Sequence, residues 1–160
     1  MKQQSLSKWL KFIIAGVGIC GLIVYALIIP RIGQMIAVFE NGVYDNCYWP
    51  WLIFIWITAI PCYIALALAW KIASNIGVDQ SFSRSNAKLL QWISFLAAGD
   101  AAFFFVGNLV LLFLNMNHPG IVLFSLFIVF AGVAVAVASA ALSHLVTKAE
   151  VLQDQSNWTI

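Results

Sequence analysis

Apolar residues in this chain gather into four long runs separated by short polar stretches: Phe12–Ile29, Trp51–Trp70, Leu89–Leu114 and Ile121–Val146. Each reaches or approaches the roughly 20 apolar residues that carry a helix across a bilayer. A soluble core helix can be as apolar, but four such runs in 160 residues leave too little polar surface to cover them. The pattern predicts spans at about 12–29, 51–72, 87–114 and 120–147, with an outer loop at 30–50, an inner loop at 73–86 and a tail at 148–160. The expected fold class is all-α: one integral membrane four-helix bundle, running up-down-up-down over residues 1–160.

The polar punctuation refines this outline. Pro30 and Arg31 in "IIPRIG" mark the end of the first span. Beyond them, Ile32, Met35, Ile36 and Phe39 stand at helical spacing, which predicts a short amphipathic helix on the membrane surface, stopped at Asn41 and Gly42. "VYDNCYWPW" then concentrates aromatic residues. An interfacial aromatic belt accounts for them; the sharper reading is an outer-loop binding surface made by Glu40, Tyr44, Asp45 and Trp49. In the second span, Pro61 frees the carbonyl of Ile57 and predicts a kink. "SRSN" before "AKLLQW" supplies N-caps for the third span, and "NMNHPG" joins the third to the fourth as a tight turn. Gly132, Ala136 and Ala140 recur every four residues on the fourth span, as Ala97 and Ala101 do on the third. Small residues let helix backbones approach in lipid, so these two spans are expected to form a close antiparallel pair.

Composition supports the membrane assignment. Hydrophobic residues make up 63% of the chain and charged residues 9%, against about 45–50% and 25% in soluble domains. The few Lys and Arg residues are distributed asymmetrically. Lys2, Lys8, Lys11, Lys71, Arg84, Lys88 and Lys148 fall on the side of the termini and the inner loop, and only Arg31 on the other. The positive-inside rule then gives an N-in/C-in topology in the bacterial cytoplasmic (inner) membrane. The net charge of +2 arises from this bias, so the expected surroundings are the lipid bilayer and no direct nucleic acid. The first run is longer than the 7–15 residue core of a signal peptide and lacks a small-x-small cleavage site, so it is expected to be retained.

Two motif matches fail on context. "GVGICG" at Gly16–Gly21 fits G-x-G-x-x-G, but it lies inside a span, with no strand before it and no free helix N-terminus for a pyrophosphate. A packing groove is the better reading. "NWT" at Asn157 fits a glycosylation acceptor, but in a tail expected to be cytoplasmic. Cys20, Cys47 and Cys62 are too scattered for a disulfide framework, and His118 and His144 sit at opposite ends of the fourth span. No metal, cofactor or catalytic residue is expected.

The exception to apolar monotony is Asp100 in "LAAGDAAFFF". It lies twelve residues beyond Lys88, about 18 Å along a helix, near the middle of a hydrocarbon core about 30 Å thick. A charged Asp there costs about 2.5–3.5 kcal/mol on insertion scales. It is therefore expected to face other helices in its neutral form, since no Lys, Arg or His shares its depth. Its candidate partners are Thr58, Tyr63 and the carbonyl freed by Pro61. Asn108 lies two turns outward, and Ser139, Ser143 and His144 extend toward the inner surface. Asp100, Thr58, Tyr63, Asn108, Ser139 and His144 thus define the candidate intramembrane polar site. A hydrogen bond that pins helix packing explains Asp100 without any function; a proton- or ligand-linked role is the alternative.

One longer pattern carries a family resemblance. "IPCYIALALAWKIASNIGVDQSFSRSNAKLLQWI" holds Ile60, Pro61 and Tyr63, then Phe82, Ser83, Asn86 and Leu89 at the start of the next helix. It resembles the bacterial membrane-protein family catalogued as domain of unknown function 2975. The tail "NWTI" is similar to the family's acidic-Leu-Thr-aliphatic ending but departs at Asn157 and Trp158. The resemblance implies four helices with both termini inside, and genes often neighbouring a small helix-turn-helix regulator. It implies no activity.

Three functional classes remain. The first is a sensor or regulatory module that acts through protein contacts, with the helix-turn-helix regulator docking at the cytoplasmic face on the inner loop and tail. There Leu145, Ala149 and Leu152 continue a helical stripe. The second is a transporter or channel component with Asp100 as a protonatable site; four helices are few for a carrier, so this reading needs a homo-oligomer. An intramembrane enzyme is the weakest, because Asp100 has no second carboxylate at its depth and no Ser–His pair is visible.

Overall fold

A computed structural model describes residues 3–39 and 47–157. Among them every regular element is helical: α1 (Gln3–Ile23), a π-helical turn (Val24–Ile28), α2 (Ile29–Phe39), α3 (Tyr48–Gly77), α4 (Arg84–Phe113) and α5 (Pro119–Asn157). Four helices are long and apolar enough to cross a membrane: Gln3–Met35, Tyr48–Gly77, Arg84–Phe113 and Pro119–Gln153. The all-α, four-span fold expected from the hydrophobic pattern is the observed one.

The spans pack in chain order. α1 lies against α3, α3 against α4, and α4 against α5, the last being the most extensive contact. Cross-helix bonds fix the alternation of direction. Ser7 Oγ, near the start of α1, donates to the carbonyl of Ala73 near the end of α3 at 2.6 Å. Ser143 Oγ on α5 donates to Ala87 at the start of α4 at 2.7 Å. No substantial contact joins the first span to α5 among the described residues, so these two form the edges of the row.

The α4–α5 pair is close for the reason its spacing suggests. A Cβ on Gly132 would sit 3.1 Å from the Cβ of Ala101 and 3.8 Å from the carbonyl oxygen of Ala97, so even a methyl group there is tight and a larger side chain would push the helices apart. Ser94 Oγ donates to the carbonyl of Ala136 across the same seam at 2.7 Å. Between α3 and α4 an aromatic block does this work. The Phe54 ring stacks on Phe104 at 5.8 Å and lies directly on the backbone of Gly107.

The turns after α3 and α4 each end the preceding helix with a left-handed Asx residue. Asp79 (φ 65°) follows α3 and Asn115 (φ 55°) follows α4. In each, two reverse bonds close the helix: Gln80 N–H to Asn75 and Asp79 N–H to Ile76, then Met116 N–H to Leu111 and Asn115 N–H to Leu112. This is the Schellman arrangement, with the short polar side chain tolerating a conformation usually left to glycine. Gly77, expected in the inner loop, is the last residue of α3. The connection is thus shorter than 73–86, and α5 carries helix through most of the expected tail.

The expected break at Pro30 needs correction. The helix does not break there: it passes through a π turn and continues as α2 to Phe39, the stretch from Ile32 to Phe39 being helical as expected. Proline lacks an N–H and its ring crowds the carbonyl four residues earlier. The wider π turn relieves the crowding, with Ile29 N–H bonding back five residues to Val24. In that register the N–H missing from Pro30 is the one owed to Tyr25. The indole Nε1–H of Trp56 answers the Tyr25 carbonyl instead, at 3.1 Å. α3 likewise continues through Pro61 without interruption.

Candidate functional site

Two places concentrate polar chemistry: a cluster in mid-span and the loop between α3 and α4.

The mid-span cluster is drawn from three spans. The π turn directs Tyr25 toward α3, where its hydroxyl lies 3.4 Å from Thr58 Oγ1. Thr58 is buried and donates to the carbonyl of Ile55 at 2.7 Å. One turn further along α3, Cys62 donates its thiol hydrogen to Asp100 Oδ2 on α4 at 3.6 Å. Asp100 itself is half-buried. Its Oδ1 is turned inward and has no hydrogen-bond partner.

Asp100 is therefore held by the segment of α3 beside Pro61, as its depth implied, but by Cys62 rather than by Thr58 or Tyr63. Tyr63 is turned the other way. Its hydroxyl donates to the carbonyl of Gly18 at 2.8 Å, close to Gly21, so the glycine-rich segment of α1 is a seat for a tyrosine ring. Asn108 also belongs elsewhere. It donates to the carbonyl of Phe104 at 2.8 Å and accepts from Asn117 at 3.0 Å, tying the α4–α5 turn to α4. Ser139 is buried and His144 is exposed. Ser143 pins α5 to α4 rather than extending a path from Asp100. The sequence-predicted set thus separates into Thr58 and Asp100 at one centre, and Tyr63, Asn108, Ser139 and His144 at other points of the fold. Tyr25 and Cys62 are the members that sequence reasoning missed. The presence of a second polar side chain one turn from Thr58 was the available signal for Cys62; none pointed to Tyr25.

Of the outer-loop candidates, Glu40, Tyr44 and Asp45 lie outside the described residues. Trp49 is exposed at the start of α3, edge-on to Tyr48 at 5.6 Å. Tyr48 donates to the carbonyl of Pro30 at 3.4 Å.

The second place is the loop at 78–83, and it is locked. Ser83 caps α4 by accepting from Asn86 N–H at 3.3 Å. The Asn86 side chain, only 1% exposed, donates to the carbonyls of Gln80 (2.9 Å) and Ser81 (3.1 Å) and accepts from Asn75 at 2.7 Å. One amide thus fastens the end of α3, the loop and the start of α4. Arg84 Nε, at the start of α4, lies 3.4 Å from Glu150 Oε2 on α5 as an ion pair at the surface. Held in this way, Val78 and Phe82 stand out at 67% and 57% exposure. No group of three or more metal-ligating side chains occurs among the described residues.

Comparison with known proteins places this geometry in a family. The family described as "Protein of unknown function (DUF2975)" matches residues 36–160. The chain is 29% identical over 157 residues to the "Uncharacterized membrane protein YoaS" of Bacillus subtilis (strain 168), covering 95% of this chain and 96% of that protein. No solved structure matches. The chain belongs to the DUF2975 family and is a multi-pass membrane protein.

Proposed function

We propose that this DUF2975 protein is a sensor or regulatory module of the bacterial cytoplasmic membrane, acting without catalysis through protein contacts at the face that carries the 78–83 loop. The observation that carries this reading is the locked loop with its outward Val78 and Phe82. Apolar side chains held rigid outside the membrane are suited to a protein partner, because no ordering cost remains to be met on docking. The lysine and arginine asymmetry orients this face to the cytoplasm. A small helix-turn-helix regulator is the partner suggested by the family's gene neighbourhood.

The test is a photo-crosslinking residue at position 82, expressed in growing cells, with one at lipid-facing Phe127 for comparison. The reading expects a crosslink to a soluble regulator at 82 and none at 127. Absence of any protein adduct at 82 rejects it.

One observation favours a second reading, a proton-linked transporter or channel component: the inward Oδ1 of Asp100 has no partner at mid-membrane depth. Intramembrane carboxylates commonly serve ion or proton pathways. Proton-coupled flux in liposomes, lost in Asp100→Asn, would carry this alternative; folded protein without such flux rejects it.

A further inference from the structure

We propose that the lipid-facing groove between α4 and α5 seats an acyl chain of an anionic phospholipid, whose phosphate is held beyond the groove's inner end by Lys88 and Lys148. This goes beyond the regulatory reading and does not depend on what docks at Val78 and Phe82.

The groove follows from small side chains. Gly132 lets α5 close onto Ala101. On one flank of that seam the helices carry little more than methyl groups: Ala98 and Ala102 on α4, and Ala140 on α5. Between them runs a groove of about 390 Å³, within the roughly 300–1,000 Å³ of small-molecule sites. Phe105 and Val129 stand at its outer end. Its one hydroxyl, Ser94, is spent on the carbonyl of Ala136, so the groove presents hydrocarbon. Among the described residues α4 is the only element in substantial contact with α5, and no further helix covers the groove.

Toward the inner surface the same flank turns polar on both helices. Gln91 is seven residues from Ala98, and His144 seven from Val137, so each lies two turns along on the groove side. Lys88 and Lys148 follow one turn after them. The bond from Ser143 Oγ to the Ala87 carbonyl sets the level. Lys88 and His144 are the next residue on each helix, so they stand at one depth, with Lys148 a turn further out. Both lysines are exposed. Among the described residues neither is in an ion pair, and the nearby Glu150 is engaged by Arg84.

This charge pattern selects the occupant. Basic sites between spans on the cytoplasmic side bind anionic headgroups, and lysine stems run along the helix to reach them. The groove begins at Ser94, six residues or about 9 Å from Lys88. One leaflet's hydrocarbon is about 15 Å deep. A chain descending from the lysines therefore enters between Ser94 and Ala140 and lies beside Val137 and Ala98. A second copy of the protein fits less well. A two-fold axis through the groove would gather four lysines at one end of it, like charges with no acid among them.

The test titrates dioleoyl phosphatidylglycerol or dioleoyl phosphatidylcholine into the full-length chain in mild detergent and counts bound lipid by native mass spectrometry. One phosphatidylglycerol should be held about thirtyfold more tightly than phosphatidylcholine, at about fivefold per lysine. Lys88→Gln combined with Lys148→Gln should abolish the preference. Lys71→Gln, on α3, should keep it. Ala98→Phe fills the groove and should lose the tight lipid with both lysines in place. A phosphatidylglycerol carrying a diazirine on its acyl chain locates the site in the wild type, whatever the variants do to folding; its adducts should concentrate in 94–105 and 129–140. Equal retention of the two lipids overturns the proposal, as does a wild-type preference in the double variant or the same loss in Lys71→Gln. A tight lipid that survives Ala98→Phe, or adducts spread evenly over all four spans, overturns it too.

Discussion

Asn86→Ala is the substitution that probes the terminal loop most directly. The wild-type side chain makes three hydrogen bonds at 2.7, 2.9 and 3.1 Å and is 1% exposed. Each intramolecular hydrogen bond contributes about 0.5–1.5 kcal/mol net. The two loop carbonyls lie near water and recover part of that by hydration, which brings the expected loss to about 2–3 kcal/mol. Asn75→Ala removes only one of the three bonds and should cost about a third as much. Asn86→Asp keeps the acceptor for Asn75 but turns an oxygen toward the carbonyls of Gln80 and Ser81, so it should do no better than alanine. Thermal unfolding in detergent, followed by circular dichroism, measures the global effect; limited proteolysis at 78–83 measures the local one. If Asn86→Ala unfolds with wild-type midpoint and its loop stays protected, the clamp does not organise this face. If Asn86→Asp is as stable as wild type, the assigned donor direction is wrong.

Other substitutions test the packing. Gly132→Leu should separate α4 from α5, costing about 1–3 kcal/mol as overpacking; an unchanged midpoint would mean this face looks at lipid. Trp56→Phe keeps the ring but leaves the Tyr25 carbonyl without a donor, at about 1–3 kcal/mol, and should lower the midpoint where Trp49→Phe, at an exposed ring, does not. Asp100→Asn retains an acceptor for the Cys62 thiol, so it should leave folding unchanged; a large loss of stability would show that the carboxyl does more than hold Cys62.

How much of this was legible in the sequence depended on how local the physics is. The span pattern and the closeness of α4 and α5 were readable because hydropathy and the four-residue recurrence of Gly132, Ala136 and Ala140 are properties of one helix at a time. Ser83 and Asn86 were visible as a motif, and the cap on α4 came directly from residue type. The clamp did not, because the partners of Asn86 lie on α3 and in the loop. Pro30 misled for the same reason: a proline stops a helix unless something answers the carbonyl it orphans, and the answer, Trp56, is 31 residues from Tyr25. Around Asp100, depth in the bilayer identified the right stretch of α3. Choosing Cys62 over Thr58 and Tyr63 required the rotation of each helix about its axis, which a nearly uniform apolar sequence does not encode. The six-residue polar set therefore came apart: Tyr63 pins α3 to α1, and Asn108 ties the α4–α5 turn to α4.

The central claim is that the face bearing the clamped loop looks into the cytoplasm, where a soluble regulator can meet it. Cys47 sits on the opposite side, just before α3, and with Cys20 and Cys62 replaced by Ala it is the chain's sole thiol. A membrane-impermeant maleimide applied to spheroplasts should label Cys47 without lysis. Labelling that appears only after the membrane is broken would put the loop, with Val78 and Phe82, outside the cell and contradict the account.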